Sequence, residues 1–223
     1  MNKNKVWQWI EFSFFALVIV ACIVLSIVLK LRALTLVSAI AGILYVVFLS
    51  DRNIFNFLIG LVSTITYIII AWQTKLYGEV VFYAACDLPM IIVSFFMWKK
   101  HVGKDFRVDA KRLKWQDYLI ILAAAAVGIV AYAQILRAVG GNIYWVDATS
   151  SVASIIATIL MCLRYREQWF MWIVVYVISV VMWSLEFDLL MLIMSSACLL
   201  SSIIGFVKWT ISSKQEANMK ESE

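Results

Sequence analysis

Apolar and polar positions along the chain fall into a coarse rhythm of long apolar runs broken by short polar stretches. Eight runs stand out, at about 10–29, 33–50, 54–72, 80–98, 118–136, 145–163, 169–185 and 189–211. A helix needs about 20 mostly apolar residues, within about 17–25, to cross the hydrocarbon core of a bilayer. None of the runs shows the alternating ten-residue pattern of a barrel strand, and inside a bilayer only helices or closed barrels satisfy every backbone group. The pattern therefore predicts an all-α polytopic membrane protein with about eight transmembrane helices.

Polar residues inside the runs recur at helical spacing, which gathers them on single faces. The third run offers Asn56, Gly60, Ser63/Thr64 and Tyr67, and the fourth Tyr83, Asp87, Met90 and Ser94. The sixth offers Asp147, Ser151, Ser154 and Thr158, and the seventh Trp169, Trp172, Tyr176 and Ser179 or Trp183. Small polar residues on membrane helices commonly serve close helix contact, and that reading suits Ser195, Cys198, Ser202 and Gly205. Asp87 resists it. A carboxylate at the bilayer centre costs about 2.5–3.5 kcal/mol on insertion scales, and Asp87 lies two residues before Pro89, the single proline. Proline breaks or kinks a helix, and discontinuous helices often build transport sites. The alternative for Asp87 is a helix cap or a structural pair. Asp147, near the start of its run, suits the helix dipole as well as it suits ligand contact.

The stretch "QWFMWIVVYVISVVMW" (168–183) carries three tryptophans and a tyrosine. Trp169 and Trp183 fall near the two ends of their run, where tryptophan belts are ordinary. Trp172 and Tyr176 are deeper, share a face, and either pack or offer a π-face and a hydroxyl to a solute.

Composition sharpens the class. The 223 residues are 64% hydrophobic and 15% charged, with a mean hydropathy of +0.92, whereas soluble domains are about 45–50% apolar and about 25% charged. The first run is longer than the apolar region of a signal peptide, about 7–15 residues, and no small-x-small site follows it. Cys22, Cys86, Cys162 and Cys198 are far apart in apolar runs, without metal or redox spacing, and read as packing residues.

The net charge of +5 is concentrated in "KKHVGKDFRVDAKRLKWQD" between the fourth and fifth runs. Lys/Arg-rich short loops mark the cytoplasmic side. With that loop inside, both termini are cytoplasmic and 15 of the 19 Lys/Arg are inside; Lys30, Arg32, Lys75 and Arg137 are outside, beside the acidic turn of Glu186 and Asp188. The basic loop is read as topology and not as a nucleic-acid interface.

An internal duplication is also visible. Trp72 and Trp183 close their runs 111 positions apart, as do Trp98 and Trp209, and Ser38/Thr149, Cys86/Ala197 and Ser94/Gly205 share the offset. Two three-helix units joined by one inverting helix face the same way, a parallel repeat about the membrane normal. The predicted organisation is an N-terminal helix (1–32), a first bundle (33–98), a basic loop and linker helix (99–137), a second bundle (138–211) and a cytoplasmic tail (212–223). This is the three-plus-one-plus-three plan of SWEET-like carriers.

At "YREQWFMWIVVYVISVV" the chain resembles the PnuC family of nicotinamide riboside transporters, with Glu167, Trp169 and Trp172 matching its WxxW signature. The preceding "DATSSVASIIATILMCLRYR" looks like that family's sixth helix, and Gly60, Tyr77-Gly78 and Trp98 agree in the first half. The resemblance covers about 33–209. It implies a plasma-membrane facilitator with a central site, moving a nucleoside down its gradient and retaining it through a cytosolic kinase. Relatives thought to carry thiamine, riboflavin or deoxynucleosides are included in the implication. The chain departs from the family at Tyr176, where an amide or carboxylate is expected, and at Ile91, where the fourth helix usually has Asn or Gln.

The candidate substrate-binding set is Trp169, Trp172, Tyr176, Asp87, Tyr83, Asn56, Thr64, Tyr67, Asp147, Ser151 and Ser154. The partners expected are a nucleoside or vitamin and the lipid bilayer; no cofactor and no metal are implied, and homo-oligomerisation is left open. Two other classes compete with a transporter. An embedded enzyme needs titratable groups arranged for acid–base or metal chemistry, but the one histidine, His101, sits in the basic loop. A capture subunit served by a separate ATPase remains the alternative, since no GxxxxGK[ST] loop occurs here.

Overall fold

The apolar runs become helices because only internal hydrogen bonding satisfies the backbone in lipid. The computed structural model describes residues 3–30, 32–73, 80, 83–103, 105–138, 143–185 and 189–221. Lys75, Tyr77, Gly78, Lys104, Glu186 and Asp188, named above, lie outside the described residues. The α-helices are α1 (Lys3–Val28), α2 (Ala33–Ser50), α3 (Asn56–Gln73), α4 (Leu88–Lys99), α5 (Trp115–Ala138), α6 (Tyr144–Cys162), α7 (Gln168–Leu185) and α8 (Leu189–Glu221). Among the described residues, six helices are long and apolar enough to cross a membrane: α2, α3, α5, α6, α7 and the 192–216 part of α8.

Two boundaries differ from expectation. The run 80–98 is not one helix: a single π-helical turn, Tyr83–Asp87, precedes α4, whose first turn holds Pro89. Proline lacks the N–H that would bond the turn before it, so the irregularity falls there. The expected tail is helical as far as Glu221. Glu216 ties it down, accepting from Ser212 Oγ at 2.8 Å and from Arg52 Nη1 at 3.0 Å.

Helix contacts close a ring in the order α2, α3, α4, α6, α7, α8 and back to α2. The seams α2–α8 and α4–α6 join the N-terminal and C-terminal halves. Outside the ring, α1 lies on α2 and α8, burying Phe15, Val18 and Cys22 beside Ile43 and Ala197. On the other side α5 rests on α6, where Gly128 meets Val152. Most of α5 is exposed, including Leu122 and Val127 at 68% and 70%, as a lipid-facing helix should be.

One backbone pattern occurs twice, 112 residues apart. Arg52 and Arg164 both take a left-handed turn, with φ of 60° and 67°. Around the first, Arg52 N–H bonds Leu49 O and Asn53 N–H bonds Phe48 O; around the second, Arg164 N–H bonds Met161 O and Tyr165 N–H bonds Leu160 O. The indoles then cross over. Trp98 Nε1 donates to Met161 O at 3.0 Å, and Trp209 Nε1 donates to Leu49 O at 3.2 Å.

Beneath these crossed bonds the basic loop is packed rather than free. Val108, Ala110 and Leu113 are buried, and single β-bridges join Arg107 to Asn53 and Lys111 to Tyr165, one to each half. Arg164 and Arg166, expected as simple inner-face charges, are buried and paired with Asp109 and Glu167. Burial pulls the Arg164 guanidinium below its ordinary value, with Asp109 opposing the shift.

The aromatic core at this end joins Phe57, Trp98, Trp169 and Trp209, with Trp98–Trp209 centroids 5.8 Å apart and Trp169–Trp209 6.2 Å. It depends on Gly205, since a Cβ there would lie 2.5 Å from Trp169 Cζ2 and 2.6 Å from Cε2. A rigid indole cannot yield as a flexible side chain does. Gly205→Ala is expected to lower stability by about 1–3 kcal/mol, the usual range for overpacking, read as an earlier thermal unfolding in detergent. Gly42→Ala is the control: its added Cβ would lie 3.4 Å from Ser63 Oγ, and it should unfold near the parent.

Candidate functional site

Above the aromatic core, the ring-facing residues of α3 and α7 run in parallel. Asn56, Gly60 and Thr64 are spaced at i, i+4, i+8, and so are Gln168, Trp172 and Tyr176, 112 positions on. The ends of both stripes nearest the aromatic core are fully covered, with Asn56 and Gln168 at 0% exposure. Asn56 Nδ2 donates to Asn53 O at 2.6 Å, but its Oδ1 meets no partner among the described residues. Among the described residues neither amide atom of Gln168 is paired, nor are the indole nitrogens of Trp169 and Trp172 or the hydroxyl of Ser94. Buried polar groups are nearly always hydrogen-bonded, so such a concentration makes this the candidate site.

One turn higher, Trp172 and Tyr176 are stacked, with centroids 5.9 Å apart and planes at 24°. The Tyr176 hydroxyl lies beside the Cys198 thiol of α8. The counterpart in the N-terminal half is Thr64, whose hydroxyl donates to Asp87 Oδ2 at 2.7 Å. The same junction of second and third helix thus carries a carboxylate in one half and a thiol in the other. Asp87 makes no capping bond to α4, so the cap reading is replaced by an interhelical pair. The π-turn orients Tyr83 so that its ring meets Tyr67 at 4.5 Å.

The predicted residues therefore divide. Asn56, Thr64, Asp87, Trp172 and Tyr176 belong to the two facing stripes and their partners, and Tyr67 and Tyr83 pair beside them. Trp169, read both as an end-of-span anchor and as a substrate-binding candidate, is fully buried in the aromatic core; Trp115, 75% exposed at the start of α5, fits the anchor role instead. Asp147, Ser151 and Ser154 are half-buried on α6, whose covered side is alanine at 148, 153 and 157. Ser154 supplies a carbonyl to Thr158 Oγ1 at 2.8 Å. Of the cysteines read as packing residues, Cys86 is exposed.

Sequence reasoning missed Gln168 and Tyr45. A signal for Gln168 existed, since it falls one turn before Trp172. Tyr45 looked like one more apolar residue of α2, yet its hydroxyl donates to Met161 Sδ at 3.2 Å across the ring.

Among the described residues no group of His, Cys, Asp and Glu could hold a metal ion. What remains is a closed ring of apolar helices around stacked aromatics, unpaired amides and one carboxylate, the makings of a small-solute membrane transporter. The family model described as nicotinamide mononucleotide transporter matches residues 32–211. The nicotinamide riboside transporter PnuC of Neisseria mucosa is 36% identical over 78% of this chain and 70% of its own. PnuC of Haemophilus influenzae is 34% identical over 92% of this chain and 91% of its own. A crystal structure of the vitamin B3 transporter PnuC superposes with a TM-score of 0.80 at 33% identity, covering 92% of both chains. The chain belongs to the PnuC family of membrane transporters.

Proposed function

We propose that the protein carries nicotinamide riboside, or a nucleoside close to it, through a central site between two three-helix bundles, α2–α4 and α6–α8. In this reading α5 is the inverting linker, α1 is peripheral, and both termini lie in the cytosol. Uptake runs down the gradient, and phosphorylation by a cytosolic kinase retains the cargo. The matched turns at Arg52 and Arg164 and the crossed indole bonds support the repeat. They also fit a register of 112 in the α2–α3 and α6–α7 pairs, one more than the 111 of Trp98 and Trp209.

The observation that carries the cargo reading is the unpaired Gln168 amide one helical turn from the Trp172–Tyr176 stack. A carboxamide offers an NH2 donor group and a carbonyl acceptor, and so does the Gln168 side chain. An aromatic platform beside it holds a flat ring, worth about 1–3 kcal/mol per base by alanine substitution. The sugar hydroxyls suit Asn56, Thr64 and Asp87.

Uptake into liposomes holding only this protein tests the reading, with nicotinamide riboside, thymidine, deoxyadenosine, thiamine and riboflavin compared. Nicotinamide riboside is expected to enter without ATP or a second subunit; entry of deoxynucleosides alone would reassign the cargo, and no entry would favour the capture-subunit alternative. Asp87→Asn separates charge from hydrogen bonding, because the amide still accepts from Thr64. Two unit charges about 10 Å apart at an effective dielectric constant near 20 interact by about 1.7 kcal/mol. Uptake of the cationic nicotinamide riboside should therefore fall by roughly tenfold, while a neutral nucleoside is unaffected.

A further inference from the structure

Tyr45 is half-buried on α2 and lies at the seam between the two halves. Its ring is seated on Gly60: a Cβ there would lie 2.9 Å from Tyr45 Cδ2 and 3.0 Å from Cε2. Its hydroxyl reaches across to Met161 Sδ at 3.2 Å, and Asp87 and Tyr176 are both its electrostatic neighbours. The aromatic is thus held at the same level as the two polar junctions.

Comparison of the halves adds a second fact. At the 112-residue spacing, Tyr45 corresponds to Ala157 and Gly60 to Trp172. The N-terminal half has a large first-helix residue against an empty second-helix position, and the C-terminal half has the reverse. Bulk is exchanged rather than duplicated, so each half presents one aromatic to the centre from a different helix. Ala157, at the position equivalent to Tyr45, is fully buried.

We propose that Tyr45 is the size-selecting wall of the central site, opposite Trp172, and a specificity-determining residue for transport. The inference rests on the central-site reading above. A thioether is a weak hydrogen-bond acceptor, so the phenol can leave Met161 for a polar group of the cargo at little cost. The ring, backed by Gly60, limits the width available to the cargo's flat moiety. On this proposal the space between Tyr45 and Trp172 admits a single six-membered ring and refuses a three-ring flavin.

The test is uptake of nicotinamide riboside and riboflavin into liposomes by the parent protein, Tyr45→Ala, Tyr45→Phe and Gly60→Ala, with detergent elution and thermal unfolding recorded for each. Tyr45→Ala is expected to raise the riboflavin-to-nicotinamide riboside ratio by roughly tenfold or more, the scale on which apolar pockets discriminate by size. Tyr45→Phe should keep the parent ratio, and Gly60→Ala, which drives the ring inward, should lower uptake of nicotinamide riboside while riboflavin stays excluded. If Tyr45→Ala lowers both cargoes in parallel, or if the parent carries riboflavin as readily, the proposal is overturned. If Tyr45→Ala does not fold, Tyr45→Leu takes its place with the same expected rise. A parent protein that carries no member of the wider panel would instead remove the central-site reading itself.

Discussion

Replacing Glu167 with alanine is expected to cost about 3–5 kcal/mol of stability, the penalty of stranding one member of a buried ion pair. Glu167 is 2% exposed and Arg166 7%. The carboxylate accepts from Arg166 Nε at 2.9 Å and from the Tyr118 hydroxyl at 2.8 Å through Oε1, and from the Leu113 N–H at 3.2 Å through Oε2. One side chain therefore joins the basic loop, α5 and the entrance to α7. Burial alone would pull Arg166 down, but the hydrogen bonds with Glu167 and Tyr118 raise its proton affinity above the ordinary guanidinium value. With the acid removed, a buried cation and two donors are left without their acceptor. Glu167→Gln keeps one acceptor oxygen and loses the charge, so it should fall between the parent and Glu167→Ala. Thermal unfolding in detergent ranks the three; equal midpoints for parent and alanine variant would show that the network contributes nothing.

The largest functional loss is expected from Trp172→Ala. Removing one aromatic platform costs about 1–3 kcal/mol, and here the same change also removes the stacking partner of Tyr176. Uptake at sub-saturating nicotinamide riboside should fall by roughly 10- to 100-fold, mainly through a higher KM. Stability should change less, because Trp172 borders the aromatic core while Trp169 lies fully within it. Trp169→Ala is the contrasting variant and should lose folding first. A Trp172→Ala protein that transports at the parental rate would remove the stack from the pathway.

Much of this architecture could be read from local rules. Apolar length located the spans, and Pro89 marked where the fourth run would become irregular. Helical spacing found Asn56, Thr64, Trp172 and Tyr176 because i, i+4 periodicity is written into the sequence. The failures share a different origin. Charge in 99–114 marked a cytoplasmic loop and said nothing of its packing, yet Val108 and Ala110 bury themselves among tryptophans from distant helices, which no local pattern encodes. Trp169 looked like an end-of-run residue, but it packs on Gly205, 36 positions on. Tyr45 was invisible because its importance lies in what Gly60 and Met161 leave around it. Local sequence reports which face a residue is on; it does not report what stands opposite.

The crossed indole bonds also bear on how the protein is made. Trp209 finds its acceptor, Leu49 O, already synthesised when it emerges. Trp98 does not, because Met161 lies 63 residues further along the chain. During biosynthesis the N-terminal half must therefore wait in the membrane with an indole unanswered until α6 has been inserted. Chains that terminate after α5 should be recognised as unfinished by the membrane's quality-control proteases, whereas the two halves supplied together as separate polypeptides should protect each other.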